Sequence, residues 1–292
     1  MNSRRQFLQQ ASILTAGMLV NSCTSSAAES KKIGIQLYTL KDEIAKDVKG
    51  VISKVAKTGY KEVETFGLTA DEKFFGLSVK EFGQLLKDNN LTTPSGHYTP
   101  AAMLFENGNG DDVKKLCDVG NTLGHEYIII PYLDESKRST IDQYKAIADR
   151  INKAGEICKT YNLKLAYHNH DFEFLNIDGQ RGYDILLDST DKNLVKMELD
   201  IYWVVRAGVD PIDLFKSQPG RFELWHIKDM DKADMTKNTE IGNGSIDFKK
   251  IMQSAKLSGV KYYFLEQENN YVPEPFTSIQ TSFNYIKNDL IK

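Results

Sequence analysis

Short apolar runs alternate with helical patterns along the chain from residue 32 onwards. The apolar runs have the length of strands, and each precedes apolar residues that recur every three or four positions, as on the buried face of a helix. In the first helical pattern these residues are Ile44, Val48, Val51, Ile52 and Val55. Strands are predicted at 32–40, 60–66, 92–98, 127–131, 165–167, 195–199, 222–227 and 262–266.

Helix-start and helix-stop residues support this alternation. Ser78 and Glu81 form a capping box at the start of the second helical pattern, Gly59 ends the first, and Pro211 takes the first helical position after Asp210. Strand followed by helix, repeated eight times, requires parallel strands covered by helical crossovers. Residues 29–292 are therefore predicted to form a single α/β domain, a (β/α)8 TIM barrel. A doubly wound open sheet is the alternative, but it gives no reason for eight even repeats.

Polar pairs stand where four of the predicted strands end. They are His168 and His170, Glu198 and Asp200, His226 and Lys228, and Glu266 and Glu268. Residues i and i+2 of a strand point to the same face, and in a TIM barrel the carboxyl ends of the strands meet at the mouth, where active sites lie. Solvated strand ends would explain each pair alone, but four pairs in register predict an active site.

The histidines fit this prediction. Of the five in the chain, His97, His168, His170 and His226 lie at predicted carboxyl ends of strands, whereas His125 precedes the fourth strand and is predicted to be structural. Imidazoles and carboxylates without thiolates suit one divalent ion such as Mn, Co, Mg or Zn. Cys117 and Cys158 fall within apolar helical patterns and are predicted to be buried free thiols.

The first 28 residues are predicted to be an export signal rather than part of the fold. Arg4 and Arg5 form a twin-arginine stretch before a weakly polar run that is too short to span a bilayer. Cleavage before Cys23 would give a lipoprotein, while cleavage after Ala28 would give a soluble periplasmic protein. The protein is thus predicted to be exported, and to meet a membrane only through that lipid anchor.

Composition excludes other classes. An apolar content of 41% with 26% charged residues is ordinary for a soluble globular protein. A net charge of -3 gives no electrostatic footprint for nucleic acid. A phosphodiesterase of the endonuclease type would need a basic groove and a histidine-rich mouth for three metal ions. The five histidines and the acidic charge balance of this chain argue against that function.

From residue 32 onwards the chain resembles the xylose isomerase-like barrels known as sugar phosphate isomerases and epimerases. The resemblance rests on TGYKEVETFG at 58–67, YHNHDFEF at 167–174, LDIYWVVRAG at 199–208, WHIKD at 225–229, IGNGSIDF at 241–248 and FLEQE at 264–268. It implies one divalent metal, with Asp200, His226 and Glu266 as ligands. Glu173 is predicted as the fourth ligand, with His168 or His170 as the alternative.

The resemblance also implies a sugar isomerase or epimerase that removes a proton next to a carbonyl. His168, His170 and Glu266 are candidate proton carriers, and Lys228 is a candidate for stabilising enolate charge. Predicted substrate contacts are Gln36, Glu64, His97, Trp203 and Lys228. Trp203 could instead pack against a helix, and Gly242, Asn243 and Gly244 could bring backbone to the substrate or form a turn.

The export signal changes the predicted substrate. Phosphorylated sugars are cytoplasmic metabolites, so an exported barrel is expected to act on an unphosphorylated sugar or keto-sugar. A metal-dependent lyase or dehydratase that cleaves keto-glycosides by elimination is the alternative, because it shares the first proton transfer. A barrel that binds sugar without turnover is the third hypothesis.

Overall fold

A closed barrel of eight parallel strands forms the centre of the molecule. The computed structural model describes residues 32–291. The barrel strands are β1 Gly34–Gln36, β2 Glu62–Thr65, β3 Thr92–His97, β4 Tyr127–Ile130, β5 Lys164–His168, β6 Val195–Asp200, β7 Leu224–Ile227 and β8 Tyr262–Leu265. Each strand pairs with its neighbour in the sequence, and β1 closes the ring by pairing with β8. The predicted (β/α)8 barrel is confirmed.

Helices follow the strands around the outside. They are α1 Lys41–Ile44, α2 Val48–Thr58, α3 Val79–Asp88, α4 Ala101–Phe105, α5 Asp111–Leu123, α6 Ile141–Thr160, α7 Gly182–Ser189, α8 Ile201–Arg206, α9 Pro211–Ser217, α10 Phe248–Met252, α11 Ala255–Ser258 and α12 Pro275–Tyr285. Short 3₁₀ helices lie at Leu37–Leu40, Glu135–Lys137 and Phe172–Phe174, and a π-helical turn at Ile286–Leu290 follows α12.

The first strand and helix differ from the prediction in two places. The first apolar run does not continue as a strand to residue 40, because Leu37–Leu40 turns into a 3₁₀ helix whose start is capped by the Gln36 side chain. The first helical pattern is split into α1 and α2, since Asp47 accepts a hydrogen bond from the backbone N–H of Gly50 and starts a new helix there. The capping box of Ser78 and Glu81 is present at the start of α3, as predicted.

Strand alternation divides the apolar residues into two cores. Tyr127, Ile129, Ala166, Leu224 and Phe264 pack together inside the barrel. The residues between them on the same strands, such as Ile128, Leu165 and Tyr167, belong to the larger core shared with the helices. The barrel is therefore filled below its mouth, as in other TIM barrels.

His125 is structural, as predicted. Its Nδ1 lies 2.6 Å from the carbonyl oxygen of Thr93, and its Nε2 lies 2.8 Å from the hydroxyl of Tyr98. Burial lowers the pKa of His125 to about 4, so the ring is neutral. Cys117 and Cys158 are buried free thiols with their Sγ atoms 3.6 Å apart, which also confirms the prediction.

The predicted export signal, including Cys23, lies outside the described residues. Within residues 32–291, no helix has the length and apolar character needed to cross a membrane.

Candidate metal centre and active site

Four consecutive strands carry the polar cluster at the barrel mouth. His168 ends β5, Glu198 and Asp200 lie at the end of β6, and His226 lies on β7. Glu198 pairs in register with His168, and Asp200 with His226, so the side chains are set side by side by the backbone. Glu266 follows β8 directly. All of these residues are buried.

One group in this cluster has the geometry of a metal site. Single donor atoms of His168, Asp200, His226 and Glu266 all lie within 4.8 Å of one another. The Oδ2 atom of Asp200 is buried without a hydrogen-bond partner, 4.0 Å from both His168 Nε2 and His226 Nδ1. The other carboxylate oxygen, Oδ1, caps α8 by accepting from the backbone N–H of Trp203. Donors about 2.0–2.2 Å from a shared ion lie at most about 4.4 Å apart, so the group fits a divalent ion after small shifts.

In His168 and His226, the ring nitrogen that points away from Asp200 contacts a carboxylate. His168 Nδ1 lies 3.1 Å from Glu198 Oε2, and His226 Nε2 lies 2.7 Å from Glu64 Oε1. Metal-bound imidazoles typically donate their second N–H in this way, which fixes the tautomer and aims the free nitrogen at the ion.

A second group, His97, His168, Glu198 and His226, also lies within ligand distance. It would use Glu198 as a ligand and lose this support, so the first group fits better.

Glu64 is held from below by two other side chains. Gln36 Nε2 donates to Glu64 Oε1 at 2.7 Å, and Ser95 Oγ donates to Glu64 Oε2 at 2.6 Å. Both Gln36 and Glu64 are fully buried. In the structure these two predicted substrate contacts support His226 rather than reach the cavity.

Buried positive charges balance the carboxylates. Burial alone would lower the pKa of His97, but Glu64 and Glu198 outweigh it and raise that pKa to about 10. Burial would likewise lower the pKa of Lys228, but the carboxylates of Glu266 and Asp200 raise it. Lys228 Nζ lies 3.2 Å from Glu266 Oε2 and 3.5 Å from Asp200 Oδ2, and it also binds Glu268. Burial raises the pKa of Asp200 to about 7.

The predicted fourth ligand, Glu173, lies apart from the cluster. Its two carboxylate oxygens accept hydrogen bonds from the hydroxyl of Tyr167 at 2.6 Å and from the backbone N–H of His170 at 2.8 Å. Tyr167 faces the helix layer, because strand alternation puts it on the opposite side from His168. His168, which the sequence offered as the alternative, is the β5 residue within ligand distance of the other three, and Glu173 holds the loop after β5.

A cavity of about 750 Å³ opens above the cluster. His97, His168, His170, Glu266 and Glu268 line its inner end. His170 Nδ1 has no hydrogen-bond partner, and its ring lies 5.3 Å from that of Trp203. Burial and the charge of Lys228 lower the pKa of His170 to about 3.

Two predicted substrate residues are placed outside the cavity lining. Lys228 is fully buried behind Glu266 and Glu268, with its Nζ 5.0 Å from the centre of the Trp203 ring. Trp203 packs on His170 and Tyr202 beside the cavity. Of the predicted substrate contacts, His97 is the one that lines the cavity.

The loop after β7 is anchored by Asp229. Its Oδ2 accepts hydrogen bonds from the backbone N–H groups of Gly242 at 2.9 Å and Gly244 at 3.1 Å. These glycines therefore bring backbone close to a buried carboxylate of the protein.

Sequence reasoning placed Glu198 and Glu268 among the strand-end pairs but gave neither a role, and it missed Ser95. For Glu198 a signal existed, since it stands two residues before Asp200 on one strand and must share its face. Ser95 has the same relation to His97, but a serine within an apolar run carries little signal by itself.

Comparison with known proteins agrees with this architecture. The model of the xylose isomerase-like TIM barrel family matches residues 52–288. The chain belongs to this family. The predicted resemblance to xylose isomerase-like barrels is thus confirmed over most of the chain. In TIM barrels the active site lies at the mouth formed by the carboxyl ends of the strands.

Individual relatives differ in their reactions. An inosose dehydratase of Geobacillus kaustophilus (strain HTA426) is 25% identical over 191 residues, which span 59% of this chain and 61% of that enzyme. A sugar phosphate isomerase/epimerase of Parabacteroides distasonis ATCC 8503 has a crystal structure with a TM-score of 0.81 and 29% identity, covering 93% of this chain and 99% of that one. The IOLI protein, solved with a bound zinc atom, shares the fold at 16% identity, with a TM-score of 0.67 over 87% of this chain and 95% of that chain.

Proposed function

We propose that this protein is a metal-dependent enzyme that removes a proton next to the carbonyl of an unphosphorylated keto-sugar. The observation that carries the proposal is the buried Oδ2 of Asp200, which has no hydrogen-bond partner and lies 4.0 Å from both His168 Nε2 and His226 Nδ1, the latter 3.1 Å from Glu266 Oε2. His168, Asp200, His226 and Glu266 would hold the ion. When bound, a divalent ion supplies Lewis-acid stabilisation of the negative charge that develops as the proton leaves.

His170 is the proton acceptor in this proposal. It lines the cavity next to the cluster, and its ring is neutral and able to accept a proton because burial and the charge of Lys228 lower its pKa to about 3. Its backbone N–H is held by Glu173, which fixes the loop that carries the ring. His97, held between Glu64 and Glu198 at 3.0 and 2.7 Å, keeps positive charge at the floor of the site.

The cavity offers few basic side chains to a phosphate group. Among the described residues that line it, Glu72, Asp112, Glu266 and Glu268 are acidic, whereas Lys115 is the one lysine and there is no arginine. A phosphate group would therefore find a single lysine and no arginine in this lining to bind it. A preference for an unphosphorylated substrate also follows from the predicted export signal.

Elimination and isomerisation share the first step. With the carbonyl at C3 of a glycoside, loss of the C2 proton lets the C1–C2 double bond form as the C1–O bond breaks. The departing oxygen takes the electron pair and one proton, so no oxidant or reductant is needed. Elimination is favoured by the inosose dehydratase relatives and by a cavity larger than a single sugar ring requires. Isomerisation or epimerisation is the second candidate, supported by the P. distasonis structure at 29% identity.

Exchange of hydrogen in deuterated water tests the proposal. The purified protein, loaded in turn with Mn, Co, Mg or Zn, is mixed with a methyl 3-keto-glucoside, an inosose, a free keto-sugar and a sugar phosphate. We expect exchange of the α proton for at least one unphosphorylated compound, and loss of this exchange in Asp200→Asn. An α proton that never exchanges with metal bound would overturn the proposal, while exchange confined to the sugar phosphate would overturn its substrate class.

We also propose that the protein is exported, with residues 1–28 as its signal. The supporting observation is the twin-arginine stretch at Arg4 and Arg5 followed by a run that is too short to span a bilayer. Mass spectrometry of protein from fractionated cells should find a lipidated Cys23 or a start at Glu29. An intact Met1 in the cytoplasmic fraction alone would contradict this.

A further inference from the structure

The part of the cavity away from the histidines has a different chemical character. Tyr38 after β1, Phe66 and Leu68 after β2 and Leu116 on α5 line it, and Tyr132 after β4 connects it with the histidines, its ring 5.4 Å from that of His170. The charged side chains of Glu72, Asp112 and Lys115 lie at the same side of the cavity. The four candidate metal ligands lie on and directly after β5 to β8, whereas most of the aromatic and leucine side chains lie at the other side of the same mouth. A ligand that fills the cavity can therefore place a polar part at the histidines and an apolar part against these side chains.

The size of the cavity supports a two-part ligand. Pockets of about 300–1,000 Å³ hold drug-sized molecules, and this cavity measures about 750 Å³. A sugar ring bound at His168 and His170 would leave the apolar half to water, which costs free energy at an apolar surface.

The aromatic side chains of this half are already ordered. The ring of Phe66 is held edge-on by Tyr38 at 5.2 Å and by Phe75 at 5.3 Å between ring centres. Tyr38 and Tyr132 remain 38% and 44% exposed, so both rings are accessible to a ligand in the cavity. Edge-on and stacked contacts with such rings select planar aromatic groups over flexible polar ones.

We propose that the apolar wall of Tyr38, Phe66, Leu68, Leu116 and Tyr132 is a subsite for an aromatic aglycone attached to the sugar. The substrate class is then an aryl keto-glycoside whose sugar lies at the histidines and whose aryl group lies against this wall. The inference rests on the proposed function for the sugar end only. An aryloxide is also a better leaving group than an alkoxide, so the subsite holds the part of the molecule that departs when the C1–O bond breaks.

Binding and turnover test the subsite separately. Binding is measured by calorimetry with 4-nitrophenyl β-glucoside and methyl β-glucoside, which carry no keto group and do not react. Turnover is measured with the corresponding 3-keto compounds. We expect the aryl compound to be favoured over the methyl compound by about tenfold in each measurement, as expected for burial of a ring in an apolar site.

Variants test whether the side chains of the apolar wall cause the preference for the aryl compound over the methyl compound. Tyr38→Ala should lower the aryl-to-methyl ratio at least about threefold, and Tyr38→Phe should retain it, because the ring is kept. Leu257→Ala is the control, since Leu257 is 40% exposed but does not line the cavity. A ratio near one in the wild type, or one unchanged by Tyr38→Ala, would overturn the subsite. Aryl binding without any α-proton exchange would instead leave the subsite standing and count against the proposed reaction.

Discussion

At the scale of single residues, the carboxylates of the mouth differ in task because they differ in partners. Asp200 divides its two oxygens between a helix N-terminus and the space shared with the histidines. Glu64 and Glu198 instead orient imidazoles from behind. Glu173 has both oxygens occupied on the outer side of β5. The metal-ligand prediction therefore depends on partners rather than on residue type.

The metal content of two variants distinguishes a ligand from a residue that only holds the loop after β5. His168→Ala should reduce metal affinity by more than the roughly 10–100-fold that loss of a supporting carboxylate costs, because it removes a ligand. Glu173→Gln should retain a stoichiometric ion, since an amide oxygen can still accept from the N–H of His170. Metal content is measured by mass spectrometry after dialysis. Loss of the ion in Glu173→Gln with retention in His168→Ala would return the β5 ligand to Glu173.

The pKa of Glu173 predicts a pH dependence of stability. Burial raises this pKa from 4.5 to about 7, although the hydrogen bond from Tyr167 opposes the shift. Below pH 4.5 the carboxyl is protonated in both the folded and the unfolded state. Between about 4.5 and 7 the unfolded state releases the proton first, so the free energy of unfolding falls, by on the order of 3 kcal/mol in total.

Glu173→Gln should abolish this fall. Urea unfolding of the wild type and the variant is compared at pH 5 and pH 8, with EDTA present throughout so that metal does not contribute. The variant should gain on the wild type by on the order of 3 kcal/mol between the two pH values. Parallel stability curves for the two proteins would contradict the shifted pKa.

At the scale of elements, the loop after β7 is packed so closely that one of its positions has no room for a side chain. A Cβ atom at Gly244 would lie 2.2 Å from Asp229 Oδ1 and 2.4 Å from the carbonyl oxygen of Met230. The loop can follow this path because the position is glycine. The same loop follows the strand that carries His226, so its anchoring also fixes one side of the mouth.

Gly244→Ala should lower the free energy of unfolding by about 1–3 kcal/mol, because the added methyl group forces backbone apart. Gly83→Ala is the matched control within α3. There a Cβ meets only the end of the Leu123 side chain at 3.2 Å, and alanine is the better helix former by up to about 1 kcal/mol. Chemical unfolding of both variants checks the contrast, and equal stabilities would contradict it.

At the scale of the whole molecule, closure of the barrel assembles the site. His226 Nε2 lies 2.7 Å from Glu64 Oε1, although 162 positions separate the two residues in the chain. The first and last units are also joined outside the barrel, where the Tyr60 hydroxyl donates to the carbonyl oxygen of Ile279 at 2.8 Å. An ion that binds β5 to β8 together would therefore stabilise the closed barrel as a unit.

Metal should raise the thermal stability of the wild type. Ion at 100 times its Kd adds about 2.7 kcal/mol to a protein that binds it only when folded, which corresponds to a rise in Tm of roughly 5–10 °C at this size. Asp200→Asn keeps the helix cap through its amide oxygen but should show little rise. Scanning calorimetry with and without metal decides, and equal rises in the two proteins would place the ion elsewhere.

Sequence alone determined the fold and most members of the site. Hydrophobic periodicity is a local property, so eight alternating units and the capping box at Ser78 could be predicted from it. Strand parity and the barrel rule then placed His168, Asp200, His226 and Glu266 together at the mouth.

Only the tertiary structure decided which groups share which space. Glu173 and His168 were both candidates on β5, and the path of the chain beyond the strand put Glu173 against Tyr167 on the outer face. Glu64 and Gln36 were predicted to touch substrate, but barrel closure placed them behind His226. Such contacts join distant segments, and their geometry depends on the tilt and register of all eight strands, which no local pattern encodes.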